Sequence, residues 1–484
     1  MSPPSISLAL VNPGGSGAPP SVEQVPILCG TCETGTVATV YTFGSLAAAE
    51  AVLTRGHLVD VIAYAFARGA ESVKAVRMTD ATAASASAVS QTGAGGVVVI
   101  SGTHSMALDC KIEIVAGGVI GVATFRYTLD DFADSGVDPT WSSTITVPAG
   151  GAYTFPGTAM IATFDSDPTA LVTGDTYEWT VTPAFYTATE VALVTDAVQL
   201  PAAGDATFLA YTGEAALASA ADTLAAGIIS QIDALFEAGH FFGALYGLGA
   251  EVAATAIAAV DGTTAAPPFV GGLFSQGYGG YCVNPRATPG RGIMALCAHD
   301  LAAVRISQCL ISEDPARTAS GPLRGVTGTK WDARLEGSAI YEARVGALTT
   351  YQSRLSGGVF LQRVRLLDAP GGDFTSWQDA AVMIAALRAV HPVAWIHLLE
   401  SFRQNADLTM DARDRAGLKS ACDRALGAAL LTPLNKRGVP GHVSAAAATV
   451  VATTQLPAID VQIAIRRLGY GEDLTFTLRY AGEV

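Results

Sequence analysis

The sequence has little charge, and the charge it has is mostly acidic. Only 15% of its 484 residues are charged, and 28 Lys and Arg against 43 Asp and Glu give a net charge of −15. Nucleic-acid binding requires basic surfaces that displace phosphate counterions, so this balance argues against a nucleic-acid partner. Half of the residues are apolar, which is ample material for cores, and the length predicts two to four domains.

Signals of secretion, disulfide bonding and membrane insertion are also missing. The first residues, MSPPSISLALVNPGG, have no basic region and too short an apolar run for a signal peptide. The uncharged tract GHVSAAAATVVATTQLPAI contains Pro457 and several threonines, so it is a poor membrane span. Seven cysteines, an odd number spread from Cys29 to Cys422, do not suggest a disulfide framework. We therefore expect assembly in a reducing cytoplasm without direct membrane insertion.

The one CxxC sequence, Cys29-Gly-Thr-Cys32, does not have the context of a reactive site. A redox CxxC begins a helix, whose dipole lowers the pKa of the first thiol, whereas Cys29 ends a predicted strand and a turn follows Cys32. Zinc binding would need a second pair of ligands, and the remaining cysteines stand alone. The pattern favours two small packing residues at the end of a core strand.

No other catalytic or cofactor motif is complete. The glycines of GAGGVV, residues 93–98, precede a strand instead of following one, and no GxxxxGK[ST] sequence occurs. GLFSQG, residues 272–277, has Leu273 where a nucleophile elbow has glycine. No histidine pair has HExxH spacing, and His299-Asp300 lacks further catalytic partners in the sequence. We predict no catalytic residue, cofactor or metal ion; the alternative is an α/β enzyme that uses Cys29 or Ser275.

Strand and helix patterns alternate in most of the chain, which indicates an open α/β layer. VPILCG, SVKAVRM and GGVVVISG are predicted strands of its first part, and SLAAAEAVL, capped by Ser45, and HLVDVIAYAFARGA are its helices. Residues 106–203 instead contain short strands between Gly, Pro and Asp clusters, typical of a small β-sandwich or barrel. The α/β rhythm then returns, and RGIMALCAHDLAAVRISQCL is predicted to be a helix.

The C-terminal part is predicted to contain two helices and two closing strands. The first helix, DAAVMIAALRAVHPVAWIHLLESF, should be interrupted or kinked near Pro392, and the second has Thr409 as its expected N-cap and Asp411 in its first turn. VQIAIRRL and DLTFTLRYA are the closing strands. The fold class is thus mixed α/β and multidomain, with an inserted all-β domain and extended terminal strand arms. The predicted divisions are an N-terminal arm 1–22, core parts 23–105 and 204–384, the insertion 106–203, and a C-terminal domain 385–484.

Charge is distributed unevenly among these divisions. Residues 101–203 contain 12 acidic and two basic residues, a net charge of −10, whereas residues 388–483 contain 11 basic and nine acidic residues, a net charge of +2. This asymmetry predicts an acidic, solvent-facing insertion and a C-terminal domain that faces a partner. Arg415 and Lys419 lie one turn apart on the second C-terminal helix, either as a solvated face that pairs with Asp411 and other acids or as a basic ridge for an acidic partner.

Four segments carry a resemblance to a known family. They are VPILCGTCETGTVATVYTFGSLAAAEAVLTRGHLVDVIAYAFARGAESVKAVRM, the strands FRYTLDDFADSG to LVTGDTYEWTVTP, the segment RTASGPLRGVTGTKWDARLEGSAIYEARV to GGDFTSWQDAAVM, and LPAIDVQIAIRRLGYGEDLTFTLRYAGEV. The third is the most specific, with a GPLxGV turn, a W-D-x-R segment and a D-F motif before a helix. These segments are spread along nearly the whole chain, and the chain resembles the contractile tail sheath proteins of myophages and phage-like contractile injection particles.

The resemblance implies a structural virion protein and not an enzyme. Such subunits form hexameric rings, stacked helically around an inner tail tube, and contract to drive the tube through the target cell envelope. The expected partners are other copies of this chain, the inner tail tube protein, and baseplate and tail terminator proteins. The expected location is the phage tail, assembled in the host bacterial cytoplasm. Another tail component, such as a tube or baseplate subunit, is a further alternative.

The resemblance also implies roles for residues at both ends of the chain. SISLALV and DLTFTLRYA alternate their faces and have no strand partner nearby in sequence, and sheath subunits add such arms to the sheets of their neighbours. The expected arm residues are Ser5, Ile6, Ser7, Leu8, Ala9, Leu10, Leu474, Phe476, Leu478 and Tyr480. With the resemblance, we favour the basic ridge as a tube contact. Its candidate residues are Arg415, Lys419, Arg424, Lys436 and Arg437.

Overall fold

The computed structural model shows a mixed α/β chain with several sheets, which confirms the predicted fold class. The residues it describes are 24–80, 83–103, 105–133, 135–165, 169–214, 221–248, 269–274, 278–316, 321–330, 346–349, 358–362, 364–367, 376–398, 402–431, 442–452, 459–467 and 473–480. The predicted arm residues Ser5 to Leu10, the alternative nucleophile Ser275, and Lys436 and Arg437 lie outside the described residues.

A sheet of eight strands forms the centre of the α/β part. In pairing order its strands are β2 (Val40–Phe43), β3 (Val73–Arg77), β1 (Pro26–Gly30), β13 (Phe208–Tyr211), β14 (Gly243–Gly247), β15 (Val270–Phe274), β19 (Gly346–Thr349) and β20 (Phe360–Leu361). The six strands from β3 to β19 are parallel, and the two end strands are antiparallel to their neighbours. Every residue of β13 and β14 is buried, as expected of parallel strands covered on both faces.

Helices cover both faces of this sheet. Alternate residues of β1 divide between two cores, with Leu28 in one and Ile27 and Cys29 in the other. The first core includes α1 (Leu46–Leu53), α2 (His57–Ala67), α5 (Ala298–Ser307) and α6 (Trp377–Leu398), and the second includes α3 (Ala188–Val198) and α4 (Ala221–Glu237). Ser45 accepts a hydrogen bond from the Ala48 amide at 3.3 Å, which confirms the predicted cap of α1.

An all-β insertion lies between β3 and α3. Its strands are β4 (Ser85–Ala86), β5 (Ser90–Thr92), β6 (Val97–Thr103), β7 (Leu108–Ala116), β8 (Thr124–Thr128), β9 (Ile145–Thr146), β10 (Ala152–Thr154), β11 (Ala159–Asp165) and β12 (Thr176–Thr182). One sheet has the order β10-β11-β6, and the other has the order β4-β12-β7-β8-β9, with β5 also on β12. GGVVVISG, predicted in the first α/β part, forms β6 here, because Val98 and its partner Phe164 face the insertion's own core.

The GAGGVV sequence before β6 has a packing role. The Gly95 amide donates to the Asp175 carboxylate at 2.8 Å, and a side chain at Gly95 would overlap that same carboxylate. A side chain at Gly96 would overlap the backbone of Asp165. These glycines therefore permit close approach of two loops within the insertion, in agreement with the rejection of this sequence as a dinucleotide-binding loop.

A separate three-stranded sheet packs beside the central one. It contains β16 (Gly280–Thr288), β17 (Arg291–Leu296) and β18 (Val326–Thr329) in the order β17-β16-β18. The prediction of one helix over RGIMALCAHDLAAVRISQCL is wrong in its first part, because Ile293 to Leu296 pair with β16. The helix, α5, begins only after Cys297, where Asp300 completes a capping box.

The C-terminal part contains α7 (Ala412–Leu426), a π-helical turn over Gly427–Leu431, and a sheet in the order β21-β22-β23. The strands are β21 (Val443–Val450), β22 (Ile459–Arg467) and β23 (Asp473–Tyr480). The N-cap of α7 is Asp411, which accepts from the Arg413 amide at 2.8 Å, and not Thr409, whose hydroxyl instead donates to Asp407 at 2.6 Å.

The closing strand has a partner within its own chain, contrary to the expectation from sequence. β23 pairs antiparallel with β22 over eight residues, from Asp473 opposite Arg466 to Tyr480 opposite Ile459. Along this shared edge the two alternating segments satisfy each other's backbone hydrogen-bonding groups. The role of Leu474, Phe476, Leu478 and Tyr480 in contacts between subunits stays a prediction.

Among the described residues, one helix is long and apolar enough to span a membrane by length and composition. This segment, Trp377–His397, belongs to α6, and half of its most apolar window is buried inside the protein. Ala380, Met383 and Leu387 pack in the core shared with the central sheet. The helix also continues through Pro392, so the predicted interruption there is absent.

Candidate functional site

Open α/β sheets bind ligands at the carboxyl edge of the sheet, at the point where the strand order reverses. Here the reversal lies between β1 and β13, since the chain continues from β1 to β3 on one side and places β13 on the other. The Asp300 carboxylate occupies this position. It accepts from His57 Nε2 at 2.7 Å, from the Cys297 amide at 2.9 Å and from the Gly213 amide at 3.2 Å.

Tertiary structure thus supplies the partner that His299-Asp300 lacks in the sequence. His57 is the first residue of α2 and lies 243 positions from Asp300, so no local spacing indicates that they meet. The side chains of His57, His299 and Asp300 are at most 2% exposed. A substrate therefore has no access to this pair in the described structure, and the carboxylate fills the place where the phosphate of a nucleotide would sit at a helix N-terminus.

The cysteine named in the enzyme alternative is also inaccessible. Cys29 is fully buried in β1, and burial raises the pKa of its thiol far above the ordinary value. Burial likewise raises the pKa of Cys32 to about 12. Nucleophilic cysteines need an accessible thiolate, so both residues are unsuited to that chemistry. Each thiol donates instead to a nearby carbonyl, Cys29 to Ile27 and Cys32 to Thr34.

A buried ion-pair network joins the β16–β17 hairpin to the α/β core. Arg291 donates to the Asp60 carboxylate at 2.6 Å, and Arg286 donates to the other oxygen of the same carboxylate. Arg286 also contacts Glu50 at 2.8 Å and the Val59 carbonyl at 3.0 Å. Burial by itself would raise the pKa of Asp60, but the two guanidinium groups outweigh it and lower that pKa to about 2.

The other side of the same hairpin is attached to the insertion by Asp130. This fully buried carboxylate accepts from the backbone amides of Gly292 and Ile293 at 2.6 and 2.9 Å. Within the insertion it also accepts from Thr128 Oγ1 at 2.6 Å and the Thr140 amide at 2.8 Å. We call the hairpin tip held between Asp60 and Asp130 the junction hairpin, residues 284–293. The sequence contains no local signal for this connection.

The predicted basic ridge on α7 is divided by the geometry of the helix. Leu418, Cys422 and Leu426 form its buried stripe. At 100° per residue, Arg415 and Lys419 lie on the flank of the helix next to this stripe, whereas Arg413 and Arg424 lie on the face opposite the stripe. Among the described candidates, Arg424 therefore does not share a face with Arg415 and Lys419, and the tube contact stays a prediction.

On the flank that contains Arg415 and Lys419, part of the positive charge is paired with an acidic side chain. Lys419 pairs with Asp423, one turn further along, and Asp423 also accepts from the Ala448 amide of β21 at 2.7 Å. The expected Asp411–Arg415 pair is not found, because Asp411 caps the helix and lies 4.0 Å from Arg403. Within the described part of the chain Arg415 makes no ion pair, so its charge is available to a partner.

Comparison with known proteins gives one family and several similar folds. The family model described as DUF2586, N-terminal domain, matches residues 4–262, just over half of the chain. No curated protein matches the sequence.

Three solved structures are similar to this chain. The sheath tail protein of Listeria innocua is 10% identical with a TM-score of 0.47, with 94% of this chain and 95% of that chain covered. The sheath tail protein of Desulfitobacterium hafniense is 13% identical with a TM-score of 0.47, with 96% and 99% covered. A chain of the contracted anti-feeding prophage baseplate is 12% identical with a TM-score of 0.41, with 84% and 80% covered. These names agree with the resemblance identified in the sequence.

Proposed function

Since this chain belongs to the DUF2586 family, and since its sequence resembles contractile tail sheath proteins over nearly its whole length, we propose that it is a structural subunit of a contractile tail sheath. In this proposal hexameric rings of the subunit stack helically around an inner tube. Contraction of the stack drives the tube through the envelope of the target cell. The baseplate and the tail terminator would bind the two ends of the stack, and the particle would assemble in the bacterial cytoplasm.

The observation that carries this proposal is the position of β23 at the edge of the C-terminal sheet. β23 pairs with β22 on one side, and among the described residues no strand pairs with its other side. An edge strand presents a row of unpaired amide and carbonyl groups to which a strand from another chain can add. Residues 5–10 alternate apolar and small or polar side chains, as such an added strand would. A donor strand and an acceptor edge in one chain can link many copies in series.

The division of the chain supports a layout for the assembled subunit. The insertion carries most of the acidic charge, and we place it on the outside of the sheath. The C-terminal domain, with its net charge of +2, would face the tube through the flank of α7 that contains Arg415 and Lys419. Residues 12–22 are rich in glycine, proline and serine and would act as the tether between rotating subunits.

The proposed mechanism is mechanical and uses no nucleotide. An extended sheath is a metastable assembly, and contraction lets its subunits bury further surface. Burial of an additional ~100 Å² of apolar surface contributes about 2.5 kcal/mol per subunit at ~25 cal/mol per Å². Because the arms link the subunits, such contributions add over many copies, and the release becomes large and nearly irreversible.

We expect assembly to depend on the apolar face of the N-terminal arm. Replacing Leu8 and Leu10 with aspartate should abolish rings and tubes in negative-stain micrographs of the purified chain, because both side chains lie on the same face of the proposed strand. The matched control replaces Ser5 and Ser7 with aspartate, which adds the same charge to the opposite face. Normal tubes from the Leu8 and Leu10 variant would contradict the proposed arm.

We further expect tube binding to depend on one flank of α7. The double substitution Arg415→Glu and Lys419→Glu should yield subunits that assemble with each other but no longer on the inner tube, as scored by co-sedimentation and electron microscopy. Arg413→Glu with Arg424→Glu makes the same change in charge on the opposite face of the helix and should retain tube binding. If both double variants bind the tube as the unchanged protein does, α7 is not the tube contact.

A further inference from the structure

Two hydrogen-bond acceptor atoms lie close together in the buried cluster at the carboxyl edge of the central sheet. The His299 ring is hydrogen-bonded to the backbone of Tyr211 and Gly213. Its Nε2 has no hydrogen-bond partner among the described residues, so the ring makes these bonds through Nδ1. In this tautomer Nε2 presents a lone pair, and it lies 3.4 Å from Asp300 Oδ1. Two buried acceptors at this separation are favourable only if a cation or a proton lies between them.

Further metal-binding atoms surround this contact. The side-chain ligand atoms of His57, Cys297 and Asp300 all lie within 4.8 Å of one another, and all three residues are buried. Cys297 is the N-cap residue of α5. Imidazole nitrogen, thiolate sulfur and carboxylate oxygen together are donors that suit Zn²⁺.

From this arrangement we propose that the cluster is a structural binding site for a divalent transition-metal ion, in the first place Zn²⁺. The protein ligands are His57, Cys297 and Asp300, and His299 Nε2 lies beside the Asp300 carboxylate but outside this group of three. On binding, the Cys297 thiol would release its proton, and the neutral His57 ring would bind the ion through one nitrogen and keep its proton on the other.

The ion would connect parts of the chain that are far apart in sequence. His57 begins α2, and Cys297 and Asp300 lie at the start of α5. Both helices pack on the same face of the central sheet, so a bound ion would clamp their N-termini at its carboxyl edge. This role is independent of the sheath proposal, because the site is within one subunit and contacts no predicted arm or tube surface.

The test uses the purified full-length chain and Co²⁺ as the probe. We expect one Co²⁺ per chain, with the sulfur-to-cobalt charge-transfer absorption that reports a thiolate ligand. Cys297→Ser should remove this absorption and weaken Co²⁺ binding by at least about tenfold, since loss of an outer-shell partner of a metal ligand alone costs 10–100-fold. The matched control is Cys110→Ser, since Cys110 is an equally buried cysteine in the insertion. This variant should leave the charge-transfer absorption and the Co²⁺ affinity unchanged.

A second variant covers the case in which Cys297→Ser does not fold. His57→Gln removes a nitrogen ligand and leaves the Cys297 thiol in place, so it should keep the charge-transfer absorption but bind Co²⁺ more weakly. The proposal is overturned if the unchanged chain takes up no Co²⁺ and purifies without stoichiometric zinc, or if both variants bind Co²⁺ like the unchanged chain. Failure of ring assembly would not bear on this result, because binding is measured on the subunit.

Discussion

Replacing Asp60 with alanine is expected to lower the free energy of unfolding by about 3–5 kcal/mol, the range found when one partner of a buried ion pair is removed. Asp60 is 1% exposed and Arg291 is 3% exposed, so the guanidinium of Arg291 would remain buried without a carboxylate. Arg286 retains Glu50, which limits its own loss. Urea denaturation of the unassembled subunit measures the change.

Two further variants separate the ion pair from general damage. Asp60→Ala combined with Arg291→Met should be less destabilised than Asp60→Ala alone, because the double variant leaves no unpaired charge on Arg291. Glu178→Ala removes a half-exposed partner of Lys111 and should change the stability by less than about 1 kcal/mol. A loss below about 1 kcal/mol in Asp60→Ala would show that the network does not support the fold.

The contribution of Asp60 to the free energy of unfolding depends on pH, because the pKa of Asp60 is lowered in the folded protein. A carboxyl group with a folded-state pKa of about 2 stabilises the protein fully above its unfolded value, about 3.9. Its contribution is lost as the pH falls through about 2. The difference in the free energy of unfolding between the unchanged protein and Asp60→Ala should therefore be constant near neutral pH and should disappear only in strong acid.

Replacing Asp130 with alanine is expected to release the junction hairpin from the insertion. The amides of Gly292 and Ile293 would lose their buried acceptor, and a buried donor left unsatisfied costs about 1–3 kcal/mol. A loss of about 2 kcal/mol in local stability corresponds to roughly 30-fold faster amide exchange. Hydrogen exchange measured by mass spectrometry on a peptide covering residues 288–296 would detect this change.

Asp175→Ala is the matched control for that experiment. Asp175 is also a buried carboxylate of the insertion that accepts from a backbone amide, but its partner is Gly95 and not the hairpin. This variant should speed exchange near Gly95 and leave residues 288–296 unchanged. Unaltered exchange of the hairpin in Asp130→Ala would mean that Asp60 alone holds it in place.

The two carboxylates bear on how the insertion would move in a contracting sheath. Asp60 holds one side of the junction hairpin on α2, and Asp130 holds the other side on the end of β8. The insertion is therefore connected to the core by this hairpin in addition to the chain segments that enter and leave it. We expect the insertion to follow the core during rearrangement of the subunits, because both attachments are buried.

Much of the local structure could be predicted from the sequence, because it depends on short-range patterns. Ser45 caps α1 as its side chain and position require, and the alternating apolar residues of β7 and β12 fill one core. The missing phosphate loop and the strand context of Cys29 also depend on neighbouring residues only. The errors arose where a local pattern allowed two outcomes, as at Ile293 to Leu296, whose apolar run suits a helix or a buried strand.

By itself, then, the sequence determined the mixed α/β class, the acidic insertion, the family resemblance and the lack of a complete catalytic motif. Only the tertiary structure decided that β6 pairs with β11, that β23 pairs with β22, and that His57 meets Asp300. Side-chain periodicity sets which face of an element is buried, but it does not specify the distant segment that covers that face. Buried charges such as Asp60 find partners more than 200 positions away, and only the path of the chain brings such groups together.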